Sequence, residues 1–447
     1  MQDKRHGEKV IVGLGLTGLS CARYLASKQE NFMVVDSRKN PPGLAGLLME
    51  LPATKLELGE FSEETLNQAS ELIVSPGVDL RTPALHQAVE KGIPITGDID
   101  IFSKAIQARI IAITGSNAKS TVVTLLGEMA AESGVDVMVA GNIGTPVLDL
   151  LKEKKRELYV LELSSFQLET TTNLGAEVAT VLNMCADHMD RYDSMEAYHQ
   201  AKHKIFSGCK KAVVNRDDPL SRPVLPGNIP TSSFGLSLPE PGHFGVKKQE
   251  GIDCLAYGTT VLMPATELKI IGMHNVSNAL AALALGHAAG LDMDSMLAVL
   301  RKFPGLPHRC QWVAERNAIA YYNDSKGTNV GATIAAIRGL GQKTGGKLVL
   351  IAGGVGKGAE FNELKKPIAE YCRLTILIGE DGPRIERALG AENRTVYASS
   401  MQEAVAMASA LAISGDAVLL SPACASFDMF DNYQHRGEVF ASAVNAL

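Results

Sequence analysis

The sequence predicts an α/β protein of three domains, the central one with a small antiparallel appendage. Three observations lead there. Short β-branched runs alternate with helical patterns along most of the chain, the pattern of parallel sheets covered by helices. Glycine-bearing turns follow two of those runs and open helices, at 13-GLGLTG-18 and 115-GSNAKST-121. A stretch with two prolines and a glycine, 303-FPGLPHR-309, interrupts the alternation before a last α/β series. The length of 447 residues suits about three domains.

The first unit is read as 1–98. KVIVGLG and NFMVVD are strands, with a helix from Thr17 to Lys28 between them. LIVSPG is a later strand, and PITGD at 94–98 closes the unit. The second, 99–304, opens with a helix near Ile99 and continues with strands at RIIAITG, DVMVAGN, LYVLELSS, VATVLNM and KAVVN. Residues 229–272 are rich in Gly, Pro and Thr with short alternating runs, which suggests the antiparallel appendage. SNALAALALGHAAG then reads as a helix. In the third, 305–447, KLVLIAGG, LTILIG, TVYAS and AVLLSPA alternate with helices.

Composition excludes several classes. Hydrophobic residues are 46% and charged residues 21%, enough for large cores and too apolar for disorder. A net charge of −6 argues against nucleic-acid binding. The seven cysteines form no C-x-x-C pair, and their odd number suits a reducing cytosol better than a disulfide framework. MQDKRHGEKV lacks the apolar core of a signal peptide. No apolar run reaches the roughly 18 residues of a membrane helix, so a cytoplasmic protein without a membrane span is expected.

Gly13, Gly15 and Gly18 spell G-x-G-x-x-G between a strand and a helix, and Asp36 ends the next strand. Such glycines let backbone approach a pyrophosphate at a helix N-terminus. A dinucleotide and a UDP-sugar both present one, and the loop does not separate them.

The second loop departs from G-x-x-x-x-G-K-[ST]. Ala118 stands before Lys119 where Gly is usual, and Ile113 holds the leading Gly position. The chemistry needs backbone N–H groups around phosphates, a lysine on the β/γ-phosphates and a hydroxyl on Mg²⁺. Gly115 and Asn117 can take left-handed angles; Ala118 serves only if its own φ is negative. Without an anion, Lys119 opposes the dipole of the helix it opens. Glu162 sits near the end of an apolar strand, where a carboxylate needs a partner or a cation. Asp187, His188 and Asp190 cluster after another strand, where open α/β sheets bind ligands. Lys202, viewed alone, is a surface lysine.

TGSNAKST, LELSSFQLE, NMCADHMDRY, KIIGMHNVSNALAA, GLPHR, NDSKGTN and SPACASFDMF occur in this order along the whole chain. The series resembles the Mur ligases of peptidoglycan synthesis, which implies a Rossmann-like N-terminal domain, a central P-loop ATPase domain and a Rossmann-like C-terminal domain. The resemblance implies ATP-dependent amide formation through an acyl phosphate. Its substrates would be UDP-N-acetylmuramoyl-L-alanine and, from the wording of LELSSFQLE and SPACASFD, D-glutamate. It implies ATP, two Mg²⁺ sites and a carbamylated lysine, and a monomer is expected.

By that resemblance Lys119, His188, Lys202, Arg309 and Lys326 carry the catalysis. Gly115, Ser116, Asn117, Ala118, Lys119, Ser120 and Thr121 hold the ATP phosphates. Asn275 and Asn278, at a helix start, meet adenine and phosphates; His274 beside them either joins them or packs in the core. Arg309, Asp324 and Lys326 reach ATP from the C-terminal unit, Asp324 at the ribose. Ser120 and Glu162 hold one Mg²⁺, and His188 with carbamylated Lys202 a second. Leu16, Thr17, Asp36, Ser37, Arg38 and Gly77 match uridine-diphosphate contacts, and Asn142 contacts the substrate and γ-phosphate. Thr328, Lys357 and Ser426, with backbone at Tyr433, hold the D-glutamate carboxylates.

Two departures bear on this. Ala118 puts a methyl beside the phosphates, and Gly327, where Ala is commoner, is expected to loosen a loop near the substrates. Three alternatives stay open: a nicotinamide dehydrogenase, a non-catalytic nucleotide-dependent scaffold, and a Mur-type amide ligase with another amino-acid substrate.

Overall fold

A computed structural model describes residues 7–225 and 227–447. The leading MQDKRH, most of the stretch read against a signal peptide, lies outside the described residues.

Four sheets form the chain. The first holds β1 (Lys9–Val12), β2 (Phe32–Asp36), β3 (Lys55–Leu58), β4 (Glu71–Val74) and β5 (Ile95–Thr96), all parallel, in the order β3-β2-β1-β4-β5. The sequence pattern hides β3 and β5. β3 is a half-exposed edge strand, KLEL, and β5 is only two residues long within PITGD.

The second sheet holds β6 (Arg109–Thr114), β7 (Val137–Gly141), β8 (Leu158–Glu162), β9 (Val178–Val181), β10 (Lys211–Asn215) and β11 (Thr231–Phe234). Its order is β11-β10-β9-β6-β8-β7, again all parallel. Helices cover both faces, so its inner strands read as unbroken apolar runs; β8 is buried along its whole length. On one face Val122, Leu125 and Leu126 of helix Lys119–Glu132 pack with Leu280 and Leu283 of helix Met273–Ala288. On the other, Ile99 and Phe102 of helix Asp98–Ala105 join Tyr159 and Leu161, and that core runs on into Ile11, Leu14 and Leu25 of the first unit.

The appendage is smaller than its sequence texture suggests. Only β12 (Phe244–Gln249), β13 (Ile252–Tyr257) and β14 (Thr260–Pro264) are antiparallel. β11, inside the same stretch, pairs in parallel with β10 and extends the central sheet.

The last sheet holds β15 (Gln311–Arg316), β16 (Ile319–Asn323), β17 (Leu348–Gly353), β18 (Cys372–Ile378), β19 (Thr395–Tyr397) and β20 (Ala417–Leu420), in the order β15-β16-β20-β17-β18-β19. β15 and β16 form an antiparallel hairpin that the sequence reading missed. Its two turn residues, Asn317 and Ala318, have φ of 51° and 57°. That geometry matches the twist of a hairpin but is usually signalled by Asn-Gly.

The strands place the chemistry. Gly13 follows β1, Gly115 follows β6, Asn142 follows β7, Asp324 follows β16 and Ser421 follows β20, while Asp36 and Glu162 end β2 and β8. All lie at carboxyl ends of strands, where side chains and free backbone groups converge on ligands. All seven cysteines are free thiols. Among the described residues no helix is long and apolar enough to cross a membrane.

Candidate active site

Three cavities line the carboxyl ends of the sheets. One, of about 570 Å³, lies between the first unit and the central unit, bordered by Leu16, Thr17, Asp36, Ser37, Arg38 and Gly77 on one side and Asn142 on the other. The three glycines of the first loop have separate reasons. A Cβ on Gly18 would come within 2.0 Å of the Gly13 carbonyl oxygen, and Gly13 itself has φ of 93°. A Cβ on Gly15 would meet nothing within 4 Å, so that position faces open space. Asp36 is 1% exposed. Its Oδ2 accepts from the Leu14 N–H at 2.7 Å, and its Oδ1 accepts from the Arg38 N–H and Nε, each at 2.8 Å. Both oxygens are therefore engaged in fixing the loop and aiming Arg38, which weakens the dehydrogenase alternative. Asp98 also borders this cavity and was missed. Its Oδ1 is buried without a partner, and burial pushes its pKa up to about 6.

The phosphate loop corrects one expectation. Ala118 has φ of 66° and ψ of −4°, a left-handed conformation. The position therefore demands special dihedrals as well as closeness, and alanine adopts them at a cost of about 1–2 kcal/mol. Gly115 has φ of 155°, while Asn117 keeps a negative φ. The surroundings hold the loop in shape. The side chain of Asn183 accepts from the Asn117 N–H at 2.8 Å and donates to the Asn117 carbonyl at 3.1 Å. Asn329, from the C-terminal unit, donates to the Asn117 side chain at 3.0 Å. Neither asparagine stood out in the sequence, because their partners are remote or main-chain. Lys119 Nζ donates to the carbonyls of Gly115 and Ser116 at 2.6 and 3.0 Å. Burial lowers its pKa, against the pull of Glu162 and Asp187.

A second cavity, of about 330 Å³, runs from this loop past Thr121, Asn275 and Asn278 to Asp324. Asn275 donates to the Ile271 carbonyl at 2.8 Å and accepts from Asn278 at 3.0 Å, a relay along the helix start. His274 borders the cavity as well, and burial pushes its pKa down to about 4. Asp324 accepts from the Ser421 hydroxyl at 2.7 Å and from the Cys310 N–H at 3.1 Å. Gly327 is not a loosening feature. A Cβ there would stand 2.5 Å from Asp324 Oδ2 and 2.8 Å from Ser421 Oγ, so glycine is what allows this tight contact.

The third cavity, of about 520 Å³, gathers Ser120, Glu162, His188, Arg309 and Lys326 with Thr328, Lys357, Ser426 and Tyr433. Glu162 is 2% exposed. Its Oε1 accepts from Asn142 at 2.9 Å, but its Oε2 is buried with no partner. An unpaired buried carboxylate oxygen is costly unless a cation completes it. Gly141 makes this approach possible, since a Cβ there would lie 2.1 Å from the Glu162 carbonyl oxygen. Arg309 Nη2 donates to Ser120 Oγ at 2.9 Å, joining the C-terminal unit to the phosphate loop. Lys326 Nζ lies 3.8 Å from the centre of the Tyr433 ring, and burial with Arg309 and Lys119 nearby lowers its pKa to about 8. Lys357 pairs with Asp187 at 2.5 Å. His188 stands edge-on to Phe166, 4.9 Å between ring centres. Burial lowers its pKa to about 4, which favours the neutral imidazole.

Lys202 is not a surface lysine. It is 2% exposed and donates to the Gly115 carbonyl at 3.0 Å and to Thr114 Oγ1 at 3.3 Å, from behind the loop. It does not border the third cavity. Burial, with Lys119 nearby, holds its pKa well below the ordinary lysine value. Among the described residues no three His, Cys, Asp or Glu side chains gather as an all-protein metal site. The donors present, Glu162 Oε2 and the Ser120 hydroxyl, suit magnesium, which takes one or two protein oxygens and completes its shell with phosphates and water.

These features define a class: a three-unit α/β protein with a nucleotide-phosphate loop on its central sheet and cationic side chains brought to it from a C-terminal sheet. Three family profiles match along the chain. They are described as Mur ligase MurD-like, N-terminal domain at residues 7–97, Mur ligase middle domain at 113–286, and Mur ligase, glutamate ligase domain at 308–424. The chain belongs to the Mur ligase family. It is 56% identical to the UDP-N-acetylmuramoylalanine–D-glutamate ligase of Pseudomonas aeruginosa over 98% of both chains. It is 53% identical to the enzyme of that name from Hahella chejuensis, again over 98% of each. Among solved structures, MurF of Acinetobacter baumannii aligns with a TM-score of 0.63 at 16% identity, covering 100% of this chain and 93% of that one. The UDP-N-acetylmuramate-alanine ligase MurC of Thermotoga maritima aligns with a TM-score of 0.61 at 16% identity, covering 99% and 100%. These two likenesses concern the fold.

The left-handed alanine yields a test. Ala118→Gly should raise the thermal stability of the protein by about 0.5–1 kcal/mol, read as a higher melting midpoint, and keep ATP-dependent turnover within a few-fold. Abolished ATP binding in this variant would overturn the assignment of the loop.

Proposed function

We infer that this chain joins D-glutamate to UDP-N-acetylmuramoyl-L-alanine with cleavage of ATP, in the synthesis of peptidoglycan precursors. The observation that carries this is the end-to-end identity, 55% and 56% over 98% of the chain, to enzymes of that name. The three cavities support it, because each is lined by the residue types that one substrate requires. The family uses ATP, and magnesium is general for such ligases. The reading includes a cytoplasmic monomer organised as units 1–98, 99–304 and 305–447.

The chemistry follows from the arrangement. The carboxylate of the UDP-linked substrate attacks the γ-phosphorus of ATP, the bond to the β-phosphate oxygen breaks, and ADP leaves. The amine of D-glutamate then attacks the acyl phosphate, loses a proton, and phosphate departs. Negative charge develops on the γ-phosphoryl and acyl oxygens, so preorganised cations are the main stabilisers. Lys119 is assigned to the β/γ-phosphates, with the loop N–H groups around it. Arg309 and Lys326 are assigned to the same phosphates from the opposite wall, and Asp324 to the ribose. Asn142 holds Glu162 and faces the substrate side. Magnesium, when bound, neutralises phosphate and acyl oxygens; Ser120 with Glu162 would hold one ion, and His188 another. Thr328, Lys357, Ser426 and the backbone at Tyr433 are assigned to the carboxylates of D-glutamate, and Lys357 would exchange Asp187 for them.

The deciding experiment measures ADP release with UDP-N-acetylmuramoyl-L-alanine and a panel of amino acids. D-Glutamate alone should support rapid turnover; preference for another amino acid would move the chain to a different member specificity.

Lys202 is assigned as the carbamylated lysine. The neutral amine is the form that combines with CO₂, and burial favours it. Carbamylation replaces an ammonium by an anion and supplies oxygen donors. Lys202→Ala should lose most of its rate and regain part of it with acetate or formate. Full activity without either would remove Lys202 from the mechanism.

Lys357→Ala should raise the D-glutamate KM by about 10- to 100-fold, the size of a lost charged hydrogen bond, with a much smaller change in the ATP KM. Equal effects on both would count against the assignment.

A further inference from the structure

A fourth cavity, of about 790 Å³, opens at the amino ends of the central strands, on the far side of the sheet from the cleft. Arg109 begins β6 and Tyr159 lies at the start of β8; both line it. Its floor is apolar. Leu148, Leu150 and Tyr159 are 1%, 3% and 3% exposed. Its rim carries Lys28, Lys155 and Arg109 against Glu157, while Arg156 and Lys152 pair with Asp136 at 2.9 Å and Asp149 at 3.8 Å. Ligand pockets have this size, roughly 300–1,000 Å³, and this make-up of apolar wall with a few polar groups.

One polar atom here is unengaged among the described residues, on a guanidinium whose Nη1 donates to Asp136 at 2.9 Å. Arg156 Nε is buried without a partner. Tyr159 lines the cavity with a largely buried side chain. A buried free N–H beside an apolar floor and rim lysines suits an anionic head on an apolar body.

The elements that line this cavity also line the cavity of the UDP-linked substrate. Helix Leu16–Ser27 contributes Leu16 and Thr17 to the substrate side and Tyr24 and Ser27 to the back. It spans about 18 Å. The segment after β7 contributes Asn142 and Pro146 to the substrate side and Leu150 and Leu151 to the back. Arg23 clasps the two elements together midway, 3.3 Å from Asp149. A ligand that shifts this clasp changes the substrate cavity at the other end of both elements.

We propose that the back cavity binds a small amphipathic anion, an aromatic or aliphatic body carrying a sulfonate, carboxylate or phosphate, and that its occupancy alters affinity for the UDP-linked substrate. The second half rests on the proposed function; the first does not.

The full chain is titrated with 8-anilinonaphthalene-1-sulfonate, with ADP and UDP present to fill the cleft. One saturable site per chain is expected. Lys155→Glu reverses an exposed rim charge and should weaken binding about threefold or more, whereas N-phenyl-1-naphthylamine, the same ring system without the sulfonate, should bind both proteins equally. Leu151→Trp should fill the cavity and abolish the site while the melting midpoint is retained. No saturable site, or one indifferent to both substitutions, overturns the proposal. For the coupling, the Kd of UDP-N-acetylmuramoyl-L-alanine should shift with the probe bound while that of ADP does not. An unchanged substrate Kd overturns the coupling. Because binding is read by fluorescence, its outcome is independent of whether the chain ligates D-glutamate.

Discussion

An excess of buried positive charge at the meeting point of the three sheets is the constraint on which the rest depends. Lys119, Arg309 and Lys326 line one cavity with Glu162, Lys357 is neutralised by Asp187, and Lys202 lies behind the phosphate loop on the Gly115 carbonyl. Burial lowers the pKa of Lys119, Lys326 and Lys202, and the neighbouring cations add to it: Arg309 acts on Lys119 and Lys326, and Lys119 on Lys202. Such a cluster is unfavourable by itself and becomes favourable around a polyphosphate. Main-chain carbonyls and hydroxyls hold it in the meantime, as where Lys119 and Lys202 both donate to the Gly115 carbonyl.

That cluster survives because the scaffold over-determines it. Ala118, His188 and Lys357 have φ of 66°, 57° and 50°, conformations that L-residues seldom adopt. Residues held this way gather at functional sites, where surrounding structure supplies the compensation. Around Ala118 that is the bonding of Asn183 and Asn329 to Asn117. Behind Lys326, buried Arg436 donates to the Ser325 and Cys424 carbonyls, at 2.8 and 3.1 Å, locking the last helix to two strand ends. The local rule that alanine avoids left-handed angles gives way here to the bonding that holds the loop.

The two nucleotide-type loops divide the labour by different physics. In the first, Asp36 is consumed by its own loop and by Arg38, while the backbone at Gly15 faces open space. In the second, Glu162 keeps one oxygen free, which leaves it available to a cation. Both carboxylates end parallel strands, and only their surroundings separate a fully bonded acid from one with an oxygen to spare.

The sequence by itself determined the parallel α/β architecture, both glycine loops and the order of the motifs. These signals are local: strand runs, turn glycines and helix starts lie within a few residues of one another. It also placed the candidate residues at strand ends, since that follows from where loops interrupt apolar runs. Tertiary structure alone decided the edge strands β3 and β5 and the Asn317-Ala318 hairpin, whose patterns are weak because they are exposed or unusual. It alone buried Lys202, reversed the expected φ of Ala118 and turned Gly327 from a loosening residue into a packing requirement. The contacts that make one site out of three units join distant residues: Arg309 to Ser120 across 189 positions, Asn117 to Asn329 across 212, Lys357 to Asp187 across 170. Periodicity carries no information about such pairs, because burial and charge at each end are set only when the sheets pack together.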